Sequence, residues 1–195
     1  PSTRALSAPT ETPPPTAPLA ALAPAPTSAL APRSTPTPLE PAKGGGAGIG
    51  LTRVGKGVKI MVLVDANGLP AAVHTASANH AESHLVQQLF DFMLPDAMPE
   101  RVVGDKAYDS DRLDAQLAAR GIELIAPHRS NRLPENKTQD GRPLRRYKRR
   151  WTVERTIAWL HNFRRLCIRW ERSAALFQAF LHFSCTLLLL REVLG

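Results

Sequence analysis

The stretch VKIMVLVDANGLPAAVHTAS, residues 58–77, decides the architecture of this chain. VKIMVLV (58–64) is apolar apart from Lys59 and reads as a buried strand. Asp65-Ala66-Asn67-Gly68 supplies turn chemistry, because Asn-Gly accepts positive φ at little cost. LPAAVHTAS (69–77) returns as a second strand, so the stretch predicts a hairpin.

Downstream of the hairpin, Asn79 and Glu82 have the spacing of a capping box, which predicts a helix over 80–93. RVVGD (101–105) reads as a short strand ending in an acid. Ser110 or Asp111 can cap a helix over 111–120, and GIELIAP (121–127) reads as a further strand. A polar, basic loop follows, then two helices at 146–166 and 173–192. Upstream, AKGGGAGIG (42–50) reads as a glycine hinge. Strand, strand, helix, strand, helix, strand and closing helices make a mixed α/β layer fold.

Residues 1–41 are of another kind. They hold 12 of the chain's 18 prolines, no aromatic residue and four charges: Arg4, Glu11, Arg33 and Glu40. A Pro/Ala/Thr/Ser mixture buries too little apolar surface to offset chain entropy, so the segment is expected to be disordered or polyproline-like. Folding is expected to begin at Ala42. Because those four charges cancel, the net charge of +8 belongs to residues 42–195. Within 127–172, 14 Lys and Arg face only Glu135, Asp140, Glu154 and Glu171. That density points to a polyanion, with nucleic acid as the leading partner.

Other classes find little support. Val54-Gly55-Lys56-Gly57 lacks P-loop spacing, and His80, Glu82 and His84 stand in the order H-x-E-x-H rather than the zinc hydrolase H-E-x-x-H. Cys167 and Cys185 sit in apolar helical contexts, which suggests neither a disulfide framework nor a zinc site. The N-terminus lacks the apolar core of a secretory signal. The apolar run 174–190 is interrupted by Gln178, His182, Ser184 and Thr186, so a buried helix is expected, packed against the sheet and the Glu154 helix.

Two acids stand out. Asp105 ends an apolar strand, at the edge of a sheet where ligands gather. Glu154 sits in RRYKRRWTVERTIAWL (145–160), a single carboxylate on a basic helix that also carries Val153, Ile157 and Leu160. A helix packed on the sheet could aim Glu154 at Asp105, and two such carboxylates can share hard divalent cations. Glu154 can equally serve a local ion pair with Arg150 or Arg155. Asp109 and Asp111 read as helix-start residues.

Tyr147, Arg150 and Glu154 give Y-x2-R-x3-E, which resembles the signature of bacterial insertion-sequence DDE transposases. IGLTRVGKGVKIMVLVDANGLP, VVGDKAYDSDRL, GIELIAPHRSNR and NFRRL follow the family's order over residues 42–192. The resemblance implies a ribonuclease-H-like mixed sheet flanked by helices. It also implies Mg²⁺- or Mn²⁺-dependent cleavage and joining of DNA at transposon terminal inverted repeats and target. Carried over, Asp105 matches the second acid and Glu154 the third, both metal ligands. Tyr147 and Arg150 match the pair that orients the Glu and binds phosphate. Lys56, Lys59, Arg145, Arg146, Lys148, Arg149, Arg164 and Arg165 are expected to bind the DNA backbone. A homodimer, no membrane, and a cytoplasmic, nucleoid-associated location complete the expectation.

The family's first Asp has no counterpart, for no Asp occurs in residues 1–64. Glu40 is flanked by Pro38 and Pro41, which cannot donate to a central ladder, and Asp65 belongs to a turn. The expectation is therefore an incomplete catalytic domain, 42–195, lacking or replacing its first central strand. That would leave VKIMVLV and RVVGD with unpaired edges. Such a chain would be catalytically incompetent alone, with residues 1–41 read out of frame. The competing reading is a non-catalytic DNA-binding remnant.

Overall fold

The computed structural model describes residues 27–33, 46–52, 55–91, 93, 98–137 and 150–194, with the backbone alone at 27–33, 52 and 82. In chain order the elements are β1 (Thr27–Arg33), β2 (Gly50–Thr52), β3 (Gly55–Val64), β4 (Pro70–Ser77), α1 (Glu82–Phe90), β5 (Arg101–Val103), α2 (Asp111–Ala118), β6 (Glu123–Ile125), α3 (Trp151–Leu160), α4 (Arg164–Cys167) and α5 (Ala174–Leu194).

The hairpin forms as its sequence dictates. β3 pairs antiparallel with β4 from Val58↔Ser77 to Val64↔Pro70. Gly68 takes φ of 87°, and Asp65 Oδ1 accepts from the N–H groups of Asn67 (2.9 Å) and Leu69 (2.8 Å). Asp65 is thus committed to the turn. β3 alternates between two cores. Val58, Ile60, Val62 and Val64 pack with Val153, Ile157 and Leu160 of α3 and Phe177, Leu181 and Cys185 of α5. Met61 and Leu63 pack with Leu85, Val86 and Leu89 of α1 and Leu113 and Leu117 of α2. Covering both faces is why this strand reads as continuously apolar.

β1 stands at the centre of the sheet, so of the two expectations the strand is not lacking, and the open edges expected beside it do not occur. It pairs antiparallel with β3, from Ala29↔Val64 to Arg33↔Ile60, and parallel with β5, from Thr27↔Arg101 to Ala29↔Val103. β5 in turn pairs parallel with β6. The stretch 1–41 is therefore not without structure at Thr27–Arg33, and neither VKIMVLV nor RVVGD is left with the edge that faces β1 open. Pro32 lies past the last β5 pair, where one ladder only is running, so its missing N–H is tolerated. A hairpin, a central strand and two parallel strands beyond it form the ribonuclease-H-like arrangement. Glu40 lies outside the described residues.

Other boundaries shift for local reasons. Gly50, the last residue of the expected glycine hinge, opens β2, which pairs with β3 from Gly50↔Gly57 to Thr52↔Gly55. α1 starts at Glu82 with Ala81 as its N-cap, because Asn79 Oδ1 accepts from the Ser77 hydroxyl (2.6 Å) instead of capping. The expected helix 146–166 is two pieces, α3 and α4, separated at His161–Phe163.

α5 packs on the sheet and on α3 as expected, but it is not buried all round. Instead one stripe is buried (Phe177, Leu181, Ser184, Cys185), while Leu176, Phe183, Leu187, Leu190 and Leu194 are exposed. By length and composition alone α5 could cross a membrane. Burial pushes the Cys185 thiol up to about 12, so it stays a neutral packing group.

The two faces of α5 give a direct test. Phe177 is fully buried and Phe183 is 60% exposed. Phe177→Ala should cost about 3–5 kcal/mol, whereas Phe183→Ala should stay within about 0.5 kcal/mol. Urea denaturation of the two variants measures both.

Candidate active site

Asp105 is placed by the end of β5. Gly104 precedes it, and a Cβ there would lie 2.7 Å from the Tyr108 ring, so only glycine lets that buried ring close against the strand end. The chain then turns through a short 3-10 helix, Lys106–Tyr108. Asp105 caps it, accepting from the Ala107 N–H at 2.8 Å through Oδ1. Its other oxygen faces the Arg150 guanidinium at 3.9 Å, and the side chain is 30% exposed.

Glu154 is placed by α3. The apolar residues Val153, Ile157 and Leu160 face the core, which turns Glu154 outward. The hairpin turn fixes the helix: the Gly68 carbonyl accepts from the Thr156 hydroxyl, and the Asn67 carbonyl accepts from Arg155. Arg155 also stacks between Trp151 and Trp159, 4.8 Å from each ring centroid.

The two acids meet at one guanidinium. Arg150, at the N-cap position of α3, donates from Nη2 to Glu154 Oε1 at 2.7 Å, while its Nη1 lies 3.9 Å from Asp105 Oδ2. The i,i+4 ion pair open to Glu154 from its spacing is therefore present, and it is shared with Asp105. The donor chemistry suits a hard cation, which takes oxygen ligands: two carboxylates, both partly exposed. Among the described residues no group of three His, Cys, Asp or Glu could hold a metal. Continuing the β1–β5 register two residues past its last pair puts Ala31 level with Asp105, and β1 (TSALAPR) contains no acid.

The basic residues divide. Lys56 and Arg164 are exposed, and Arg165 is exposed but bridged to Glu171 at 2.7 Å. Lys59 corrects its expectation as a DNA-backbone ligand: it is 5% exposed and its Nζ donates to the His80 carbonyl at 2.7 Å. Its position inside an otherwise apolar strand was the signal for burial. Arg169 is also interior, donating to the carbonyls of Ala47, Glu171 and Arg172, and burial lowers its pKa. Tyr147, Arg145, Arg146, Lys148 and Arg149 lie outside the described residues.

Asp109, like Lys59, departs from its expectation. It starts no helix; its carboxylate is 3% exposed and accepts from the Arg129 N–H (2.7 Å), Arg132 Nη1 (2.6 Å) and the His128 ring (2.9 Å).

Comparison with known proteins adds the following. A family model described as a transposase DDE domain matches residues 34–189, beginning eight residues ahead of the expected boundary at 42. The chain is 38% identical over 144 residues to a Burkholderia cepacia protein named as a transposase for insertion sequence element IS402, covering 70% of this chain and 64% of that one. It is 27% identical over 133 residues to a Brucella ovis protein named as a transposase for insertion sequence element IS6501, covering 68% and 98%. The chain thus spans less than two thirds of the first relative's length. Two solved structures are also similar. One is a piggyBac transposase synaptic complex with hairpin DNA, at TM-score 0.42 and 12% identity, covering 60% of this chain and 27% of that one. The other is the catalytic core domain of BIV integrase, at TM-score 0.36 and 13% identity, covering 82% and 80%.

Asp109 provides a test independent of any reaction. Burial pushes its carboxyl up, but the Arg129 N–H, His128 and Arg132 outweigh this and hold it below the usual carboxylate range. The stability it contributes is complete above the unfolded value of about 3.9. It is lost as pH falls through the lower folded value. Neighbouring Asp114 is pushed up, first by burial and then by Asp109 and Asp111, and acts in the opposite sense. Asp109→Asn should therefore lower stability at pH 6 and flatten its loss between pH 4 and pH 2, read as urea midpoints across that range.

Proposed function

This chain belongs to the transposase DDE domain family, and we propose that Asp105 and Glu154 form its metal-binding pair for DNA strand cleavage and transfer. The observation that supports this is the single Arg150 guanidinium, hydrogen-bonded to Glu154 at 2.7 Å and 3.9 Å from Asp105. The strand-end acid and the helix acid, 49 residues apart in sequence, thus lie within ion-pair range of one cation. The pair would hold Mg²⁺ or Mn²⁺, which supplies Lewis acidity for the phosphodiester and activates the attacking water. Arg150, with Tyr147, would orient Glu154 and bind the phosphate beside the scissile bond. Lys56, Arg145, Arg146, Lys148, Arg149, Arg164 and Arg165 would grip the backbone of transposon ends and target DNA. Lys59 takes no part. A homodimer in the cytoplasm, associated with the nucleoid and not with a membrane, fits a DNA substrate.

A second reading has its own observation. β1 fills the place of the first central strand without bringing an acid. A chain with two of the three carboxylates is then a DNA-binding remnant that folds without cutting. On this reading residues 1–41 come from another reading frame. An upstream frame encoding an apolar strand with an Asp is the expected result of sequencing the coding DNA.

A nicking assay on terminal-repeat DNA with Mg²⁺ or Mn²⁺ separates the readings. Cleavage abolished by Asp105→Ala and by Glu154→Gln supports the enzyme. Salt-sensitive DNA binding without cleavage supports the remnant. Cleavage that survives Asp105→Ala overturns the assignment of the pair.

A further inference from the structure

The segment after β6 clasps the turn that carries Asp105. Arg129 lays its fork across two successive carbonyls, Nε to Lys106 at 3.0 Å and Nη2 to Ala107 at 2.7 Å. The backbone N–H of the same residue is held by Asp109 Oδ2 at 2.7 Å. Asp109 is itself fixed from the same segment by His128 and Arg132, and Arg132 reaches on to Asp111. The peptide between Lys106 and Ala107 joins this clasp to the candidate site, because its carbonyl, on Lys106, accepts from Arg129 while its N–H, on Ala107, donates to Asp105 Oδ1 at 2.8 Å. A planar fork spanning two carbonyls fixes both peptide orientations, which a point charge does not do.

We propose that Arg129 is the positioning residue for the Asp105 carboxylate, acting through the peptide between Lys106 and Ala107, with Asp109 anchoring Arg129 in turn. Arg129 touches neither acid of the pair, so it acts only by holding the turn. The proposal rests on Asp105 being a metal ligand, and it makes a prediction opposite in sign to simple electrostatics. Arg129 is a cation near a cation site, so its charge alone disfavours metal, and removing it would tighten binding. As a positioning residue its removal must weaken binding, as loss of outer supports of metal ligands does.

The test uses the full chain with Mn²⁺ as probe, titrated by EPR of the free ion, beside amide hydrogen exchange at Ala107. Arg129→Ala should cut protection of the Ala107 amide and weaken Mn²⁺ binding about tenfold. Arg129→Lys keeps the charge but cannot span both carbonyls, and should behave like Arg129→Ala. The Val62 amide, in the centre of β3, should keep its protection in both variants, which shows the fold intact. Unchanged Ala107 protection overturns the positioning role directly, whatever the metal does. Lost Ala107 protection with unchanged or tighter Mn²⁺ binding overturns the link from turn to site. Asp105→Ala with unchanged Mn²⁺ binding instead sinks the metal reading on which the proposal stands, while the exchange result still reports on the turn.

Discussion

β3 is buried on both faces, and the rest of the molecule is arranged by that constraint. Its even-numbered residues from Val58 to Val64 belong to the side covered by α3 and α5, while Met61 and Leu63 belong to the side covered by α1 and α2. A slip of one residue in its pairing would exchange the two sets and pack neither side. The register with β1 and β4 is therefore fixed by packing as much as by the hairpin turn. The same strand delivers that turn to α3, where the carbonyls of Asn67 and Gly68 receive Arg155 and Thr156. These two bonds, with the packing of Val153, Ile157 and Leu160, hold the face of α3 that carries Glu154 turned away from the core.

Charge completes what packing begins. Asp105 and Glu154 carry like charge, and the Arg150 guanidinium, 2.7 Å from Glu154 and 3.9 Å from Asp105, offsets it. On the opposite side of the Asp105 turn, Asp109 plays a different part. It is an acid that stays charged because three donors from one segment converge on it, and it serves the backbone rather than a ligand.

Much of this was legible in the chain. The hairpin could be read because apolar runs flank an Asn-Gly turn, β5 because an apolar triplet precedes a glycine and an acid, and α3 from its helical apolar spacing. That Asp105 and Glu154 could face one another followed from packing a helix on the sheet, and Arg150 lies 2.7 Å from one and 3.9 Å from the other. What escaped has physical reasons. TSALAPR carries no strand pattern, since small residues and a proline say little about pairing when the ladder is made by backbone groups. Asp109 next to Ser110 looks like any helix start, and only three-dimensional contact with residues 128–132 separates it from one. Lys59 looked like a surface cation because its type was weighed above its position. α5 looked uniformly buried because composition cannot say how much of a helix its neighbours reach.

β1 carries a consequence for substitution within the sheet. A ladder recognises peptide groups, and it accepts almost any side chains that do not collide with the layers above and below. β1 joins β3 to β5 with small residues and a proline, so the pairing itself makes no demand on the side chain that stands level with Asp105. What a sheet asks of this strand and what a reaction would ask of it are separate demands on the same seven residues.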